Sequence, residues 1–171
     1  KEGSRNSTMV HTPAENTNES PDNSSEDLSG ATVLLVDDND QNLELLRAYL
    51  DDLGCQTRTA ADGLEAMSSI EAEVPDLVLL DVMMPRMSGF QVCERLKQSP
   101  RTRDVPVIMV TALNEVGDVE RAVEAGADDF LTKPVNRLEL VTRVRSLLRV
   151  RQLKRELDST LDALRRSRAE D

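Results

Sequence analysis

Five side chains in this 171-residue sequence have the chemistry to handle a phosphoryl group: the carboxylates of Asp37, Asp38 and Asp81, the hydroxyl of Thr111 and the ammonium of Lys133. Each stands at or just past the end of a short apolar run. Three acids gathered in one small volume repel one another severely unless a cation lies among them. A hard divalent ion with oxygen ligands is implied, Mg²⁺ (or Mn²⁺), because such a site has few carboxylates and room for several waters. A carboxylate nucleophile beside a metal, a fixed cation and a hydroxyl donor is equipment for phosphoryl transfer. Asp81 would attack in line to form an acyl phosphate, Mg²⁺ and Lys133 would neutralise the equatorial oxygens, and Thr111 would donate a hydrogen bond. Each residue alone also has a plainer reading: Asp37 and Asp38 as a solvated turn before a helix, Thr111 as a helix cap, Lys133 as a surface charge. Neither G-x-G-x-x-G nor G-x-x-x-x-G-K-[ST] occurs, so a stored nucleotide is not expected.

These residues need elements to position them. Val33-Leu-Leu-Val36, Leu77-Val-Leu-Leu80 and Val107-Ile-Met-Val110 are continuous apolar runs of strand length, as parallel strands covered on both faces require. Weaker strands fit Gln56 to Thr59 and Asp129 to Thr132. Leu43, Leu46, Leu50 and Leu53 form an amphipathic helical stripe, and further helices fit about 63 to 72, 89 to 98, 116 to 125 and 137 onward. Gly54 and Gly126 follow two helix ends, where a left-handed cap suits glycine. Five strands each followed by a helix predict an open α/β sheet, doubly wound because parallel strands take right-handed crossovers. Ligands in such sheets sit beyond the carboxyl ends of the strands, which is where the five polar groups fall.

Composition narrows the alternatives. Hydrophobic residues make up 39% of the chain but aromatics only 2%, Tyr49, Phe90 and Phe130, so the core must be aliphatic. A net charge of −11 argues against a duplex-binding surface across the whole molecule. No apolar stretch has the length of a membrane span and no signal-peptide pattern opens the chain, so the sequence reads as soluble and cytoplasmic. Cys55 and Cys93 with the single His11 make neither a disulfide scaffold nor a zinc set, and both thiols are expected to be reduced and packed in the core. Residues 1–30, rich in Asn, Ser, Thr, Glu and Pro, are expected to be a disordered extension. A first residue other than Met reads as a fragment, with Met9 nearer the native start.

The segments Val33-Leu-Leu-Val-Asp-Asp38, Leu79-Leu-Asp-Val-Met-Met-Pro-Arg-Met-Ser-Gly89, Val110-Thr-Ala112 and Ala127-Asp-Asp-Phe-Leu-Thr-Lys-Pro134 together resemble the receiver domain of bacterial two-component response regulators. The resemblance covers about residues 31 to 150, with a core at 31–136. It implies a flavodoxin-like five-stranded parallel sheet of order 2-1-3-4-5 and a phosphoprotein modified on Asp81 by the phosphohistidine of a sensor histidine kinase or phosphotransfer protein. It implies Mg²⁺ held by Asp37, Asp38, Asp81 and the backbone carbonyl of Met83, with Asp38 a direct ligand. Thr111 and Lys133 would contact the phosphoryl group, and Lys133-Pro134 would be a cis peptide. Phe130 would be the switch aromatic, turning inward as Thr111 moves and changing the face built from the fourth helix, fifth strand and fifth helix. An ordinary core aromatic is the plainer reading of Phe130. The lifetime of the acyl phosphate would depend on neighbours such as Asn39, Met83 and Asn114.

The last helix differs from its domain. Residues 137–171 contain no Gly or Pro and carry ten Lys and Arg against six Asp and Glu, whereas residues 31–136 carry nine against twenty. Val150, Leu153, Leu157, Leu161 and Leu164 make a narrow seam at coiled-coil spacing. The expectation is a parallel homodimer, with the fifth helix prolonged into a coiled-coil linker toward an output domain beyond the fragment. A solvated lone helix is the alternative. The Arg-rich stretch from Arg143 to Arg155 reads as a helix interface rather than a nucleic-acid patch, its charges alternating with apolar residues and acidic neighbours. Two other functions compete with the switch. A Mg²⁺-dependent aspartyl-phosphate phosphohydrolase would carry a general acid two residues past the nucleophile, where Met83 stands. A structural adaptor would use only the dimer helix. The chain is therefore expected not to be an enzyme in its own right.

Overall fold

The apolar runs become the middle of one sheet in a computed structural model of the protein, which describes residues 28–112 and 116–170. Five strands, β1 (Thr32–Val36), β2 (Gln56–Ala60), β3 (Leu77–Asp81), β4 (Val107–Thr111) and β5 (Asp129–Thr132), lie in the order β2-β1-β3-β4-β5, and every neighbouring pair is parallel. The helices are α1 (Asp40–Leu50), α2 (Gly63–Ala72), α3 (Gly89–Gln98), α4 (Val116–Glu124) and α5 (Arg137–Glu170).

Every residue of β3 and β4 is buried, as central strands covered on both faces must be. β2 reads Gln-Thr-Arg-Thr-Ala and is only partly buried, the polar composition of an edge. Successive side chains alternate between faces. Leu34, Val36, Val78 and Leu80 therefore pack with Ala66 and Ile70 of α2 and Phe90 and Leu96 of α3. Val33, Leu35, Leu77 and Leu79 pack on the opposite side with Leu43 and Leu46 of α1 and Leu140 and Val144 of α5. Among the described aromatics only Phe90 is buried, so the core is aliphatic.

The structure refines three expectations. The leucine stripe of the first helix spans two elements: α1 stops at Leu50, and Leu53 is buried from a 3₁₀ turn, Asp51–Leu53, closed by Gly54 at φ 71°. Leu28, assigned by composition to the extension, is 3% exposed, and its carbonyl accepts from Ala31 N–H at 2.9 Å, so the packed unit includes Leu28. Cys93 is buried as expected, whereas Cys55 is only half-buried against the α1 side of the core. Residues 1–27, with Met9 and His11, lie outside the described residues.

α5 runs for 34 residues, a rod of about 50 Å. Leu140, Val144 and Leu148 bury its first half against the sheet. The same face then turns polar. Arg151 and Arg155 reach Asp76 at 3.4 and 2.6 Å, and Lys154 reaches Asp104 at 2.9 Å, which ties the helix to the amino-terminal end of the sheet. Among the described residues no helix is long and apolar enough to cross a membrane.

Candidate functional site

The chain leaves β1 for β2 on one side and β3 on the other, so a crevice opens between the carboxyl ends of β1 and β3. Asp37, the first residue past β1, is 2% exposed. Its Oδ1 accepts from Asn39 N–H at 2.9 Å, and its Oδ2 accepts from Asn42 Nδ2 at 3.3 Å. Asp38 beside it is exposed. Asp81 closes β3 at 4% exposure and accepts from Met83 N–H at 3.2 Å. One carboxylate oxygen from each of the three acids lies within 4.8 Å of the others.

Lys133, just past β5, brings its Nζ to 3.4 Å from both Asp37 Oδ2 and Asp81 Oδ1. It is not a solvated charge. Even with that neighbour, burial and the charge of Asp37 together hold the Asp81 carboxyl above its ordinary range. A crowded acidic pocket with an all-oxygen donor set is the environment a small hard dication stabilises, so the residues present fit Mg²⁺.

Thr111 closes β4 at 6% exposure, in register with Thr132 of β5, and its carbonyl accepts from Lys133 N–H at 2.8 Å. The Lys133-Pro134 peptide is cis. Phe130 is 36% exposed, which rules out the plain reading of a core aromatic. A hollow of only about 10 Å³ separates it from Thr111, walled by Met109, Val119 and Ala122.

Local chemistry explains the placement. Helix α1 is capped by Asn39 rather than by either aspartate: the Asn39 side chain accepts from Gln41 and Asn42 N–H, while Asp37 holds the turn through Asn39 N–H and keeps its second oxygen for Asn42 and Lys133. After β3 the chain must fold back on itself. Gly89 N–H donates to Val82 carbonyl at 3.0 Å, and a Cβ at Gly89 would lie 2.3 Å from the Asp81 carbonyl oxygen, so only glycine fits. Ser88 and Gln91 form a reciprocal capping box that starts α3 directly afterwards.

Asp37, Asp38, Asp81 and Lys133 therefore surround one crevice, and Thr111 ends the strand next to β3 with its carbonyl joined to Lys133 N–H. Asn42 and the Arg86–Asp62 pair were missed. Asn42 had one available signal, its place in the first turn of the helix after Asp37. Asn114 lies outside the described residues.

The family described as "Response regulator receiver domain" matches residues 33–145. The chain belongs to that family. The receiver is 46% identical over 127 residues to "Response regulator PleD" of Caulobacter vibrioides, a match covering 74% of this chain and 28% of that protein. It is 40% identical over 117 residues to "DNA-binding dual master transcriptional regulator RpaA" of Synechocystis, covering 68% of this chain and 48% of that one. The chain thus spans half or less of the length of these curated relatives. Among solved structures, the signal receiver domain of a signal transduction histidine kinase from Syntrophus aciditrophicus superposes with a TM-score of 0.66 at 40% identity, covering 69% of the receiver and 89% of that chain. The chemotaxis response regulator CheY4 of Vibrio cholerae gives 0.65 at 29%, covering 68% and 98%.

Proposed function

We propose that this receiver is a phosphorylation-operated switch that accepts a phosphoryl group on Asp81 from the phosphohistidine of a sensor histidine kinase or phosphotransfer protein. The observation that carries the reading is the gathering of three carboxylates within 4.8 Å, two of them bridged by Lys133. In the transfer an Asp81 carboxylate oxygen forms the new P–O bond while the P–N bond of the phosphohistidine breaks, the imidazole nitrogen keeping the electron pair. Mg²⁺ (or Mn²⁺) would be held by Asp37, Asp38, Asp81 and the Met83 carbonyl, and when bound it supplies neutralising charge for the phosphoryl oxygens. Asp38 is the readier direct ligand, because Asp37 is already engaged by Asn39, Asn42 and Lys133. Lys133 exchanges its carboxylate partners for a phosphoryl oxygen, and Thr111 donates a hydrogen bond to another.

Movement of Thr111 toward the phosphoryl group enlarges the hollow beside it, and Phe130 turns from solvent into the space. The two settings of Phe130 change the face formed by α4, β5 and α5, and so the affinity for an attached or separate output domain. The receiver does this without turnover of its own, and the reading places it in the cytoplasm of a bacterial cell.

The same reading makes the chain a parallel homodimer through α5. Val150, Leu153, Leu157, Leu161 and Leu164 are between 41 and 61% exposed. At about 100° per residue their stripe is turned roughly 140° from the face that packs on the sheet, so the helix points it away from its own domain.

Incubation with Mg²⁺ and acetyl phosphate, followed by intact mass measurement, tests the proposal. The switch gives one phosphoryl group per chain, alkali-labile and lost in Asp81→Asn. A phosphohydrolase gives many turnovers of donor, and a structural adaptor gives no adduct.

A further inference from the structure

We propose that Arg86 is a positioning residue for the phosphoryl site, its ion pair with Asp62 holding the loop after β3 so that the Met83 backbone stays beside Asp81. The inference rests on the reading above for the role of that site, and concerns what keeps one wall of it in place.

Arg86 has φ 68°, a left-handed conformation that a side chain seldom adopts and that glycine would adopt freely. Something outside the turn must hold it. Its guanidinium Nη2 lies 2.5 Å from Asp62 Oδ2, across 24 residues of sequence. Asp62 is 9% exposed and is the N-cap of α2, its Oδ1 accepting from Glu65 N–H at 2.8 Å. One carboxylate therefore starts a helix with one oxygen and pins the loop with the other. The neighbouring residue makes the same junction in apolar form. Met87 is buried, and a Cβ added to Gly63 would lie 2.7 Å from Met87 Cβ, so loop and helix start are in direct contact.

The far side of this loop is the site. Met83 N–H donates to Asp81 Oδ1, and Gly89 closes the loop by lying on the Asp81 and Val82 backbone. The segment between Met83 and Ser88 is thus fastened at its base by Gly89 and at its tip by Arg86. Arg86 is 67% exposed on its side chain, and an ion pair so open to solvent adds little to global stability. Its effect is felt in the loop, where the energy separating conformations is small.

The test uses the full chain with Asp62→Asn, which can still cap α2 but carries no charge, and Arg86→Gly, which tolerates the backbone angle but has no guanidinium. Arg86→Lys is the conservative rescue. Amide hydrogen exchange at Met83 is measured without metal, Mg²⁺ affinity by amide chemical-shift titration, and melting temperature on the same samples. Both disrupting variants are expected to exchange the Met83 amide several-fold faster and to bind Mg²⁺ about fivefold more weakly, less than the loss typical of a direct partner of a metal ligand. Their melting temperatures should stay near wild type, and Arg86→Lys should recover part of both losses. Wild-type exchange at Met83 in Asp62→Asn and Arg86→Gly overturns the clamp, whatever the metal does. A wild-type chain that binds no Mg²⁺ overturns the functional reading instead, and the metal-free exchange measurement still decides the clamp.

Discussion

The Nζ of Lys133 stands 3.4 Å from Oδ1 of Asp81, and the same ammonium is 3.4 Å from Oδ2 of Asp37. One cation thus serves two buried carboxylates. Removing it in Lys133→Met leaves both acids without their fixed counter-charge, and the metal-free protein should lose about 1–3 kcal/mol, less than for a fully buried pair because Lys133 is partly exposed. Added Mg²⁺ should recover part of the loss by binding only the folded chain. Acyl-phosphate formation should fall about a hundredfold, the usual consequence of deleting one group that meets developing charge. Urea denaturation with and without Mg²⁺, and labelling rates with acetyl phosphate, check both outcomes.

Asp81→Asn should make the metal-free protein more stable near neutral pH. Burial and Asp37 raise the Asp81 carboxyl in the folded chain above its unfolded value of 3.8, so the folded state holds its proton more tightly. Stability contributed by this group is therefore present below that value and is lost as pH rises through the folded pKa. The variant, which has no proton to lose, should gain on the order of 1 kcal/mol over wild type at about pH 7, and the gap should close toward pH 4. Parallel denaturation series across pH measure it, and a variant less stable than wild type at neutral pH would refute this account of the pocket.

Much of this was legible in the sequence for a definite reason. A parallel strand covered on both faces is written as an uninterrupted apolar run, so Leu77 to Leu80 and Val107 to Val110 declared themselves, and the polar residues closing such runs marked the crevice. Local signals also placed Gly54 and Gly126, which have φ 71° and 89°. What the sequence concealed is long-range. Arg86 and Asp62 meet across 24 residues, and Arg151 meets Asp76 across 75, with nothing in either neighbourhood to announce the pairing. The left-handed angle of Arg86 was equally hidden, because no glycine marks it. Leu28 was lost in a polar segment whose average composition outweighed one buried side chain.

The seam on α5 predicts that sedimentation at high micromolar concentration finds a dimer. Leu157→Glu, which puts a charge into the middle of the stripe on a residue 57% exposed within its own chain, should yield a monomer with the receiver's melting temperature unchanged. A wild-type monomer with and without a phosphoryl mimic would remove the dimer.

The two cysteines should be poor nucleophiles. Burial pushes the Cys93 thiol up to about 11, and its Sγ lies 3.4 Å from the Ala125 carbonyl; burial raises Cys55 as well. The thiolate is the reactive form, so alkylation of the folded chain near neutral pH should be slow at both sites and slower at Cys93. Mass measurement after timed iodoacetamide treatment checks it, and rapid modification of Cys93 in the folded state would contradict the packing described.

The central claim is that Asp81 carries the phosphoryl group. Borohydride reduction of the phosphorylated chain converts an acyl-phosphate aspartate to homoserine, and peptide mass spectrometry then reads the position directly. The account predicts homoserine at residue 81, dependent on Mg²⁺ and on the phosphodonor. Homoserine at Asp37 or Asp38, or none at all after full exposure to donor and metal, would contradict it.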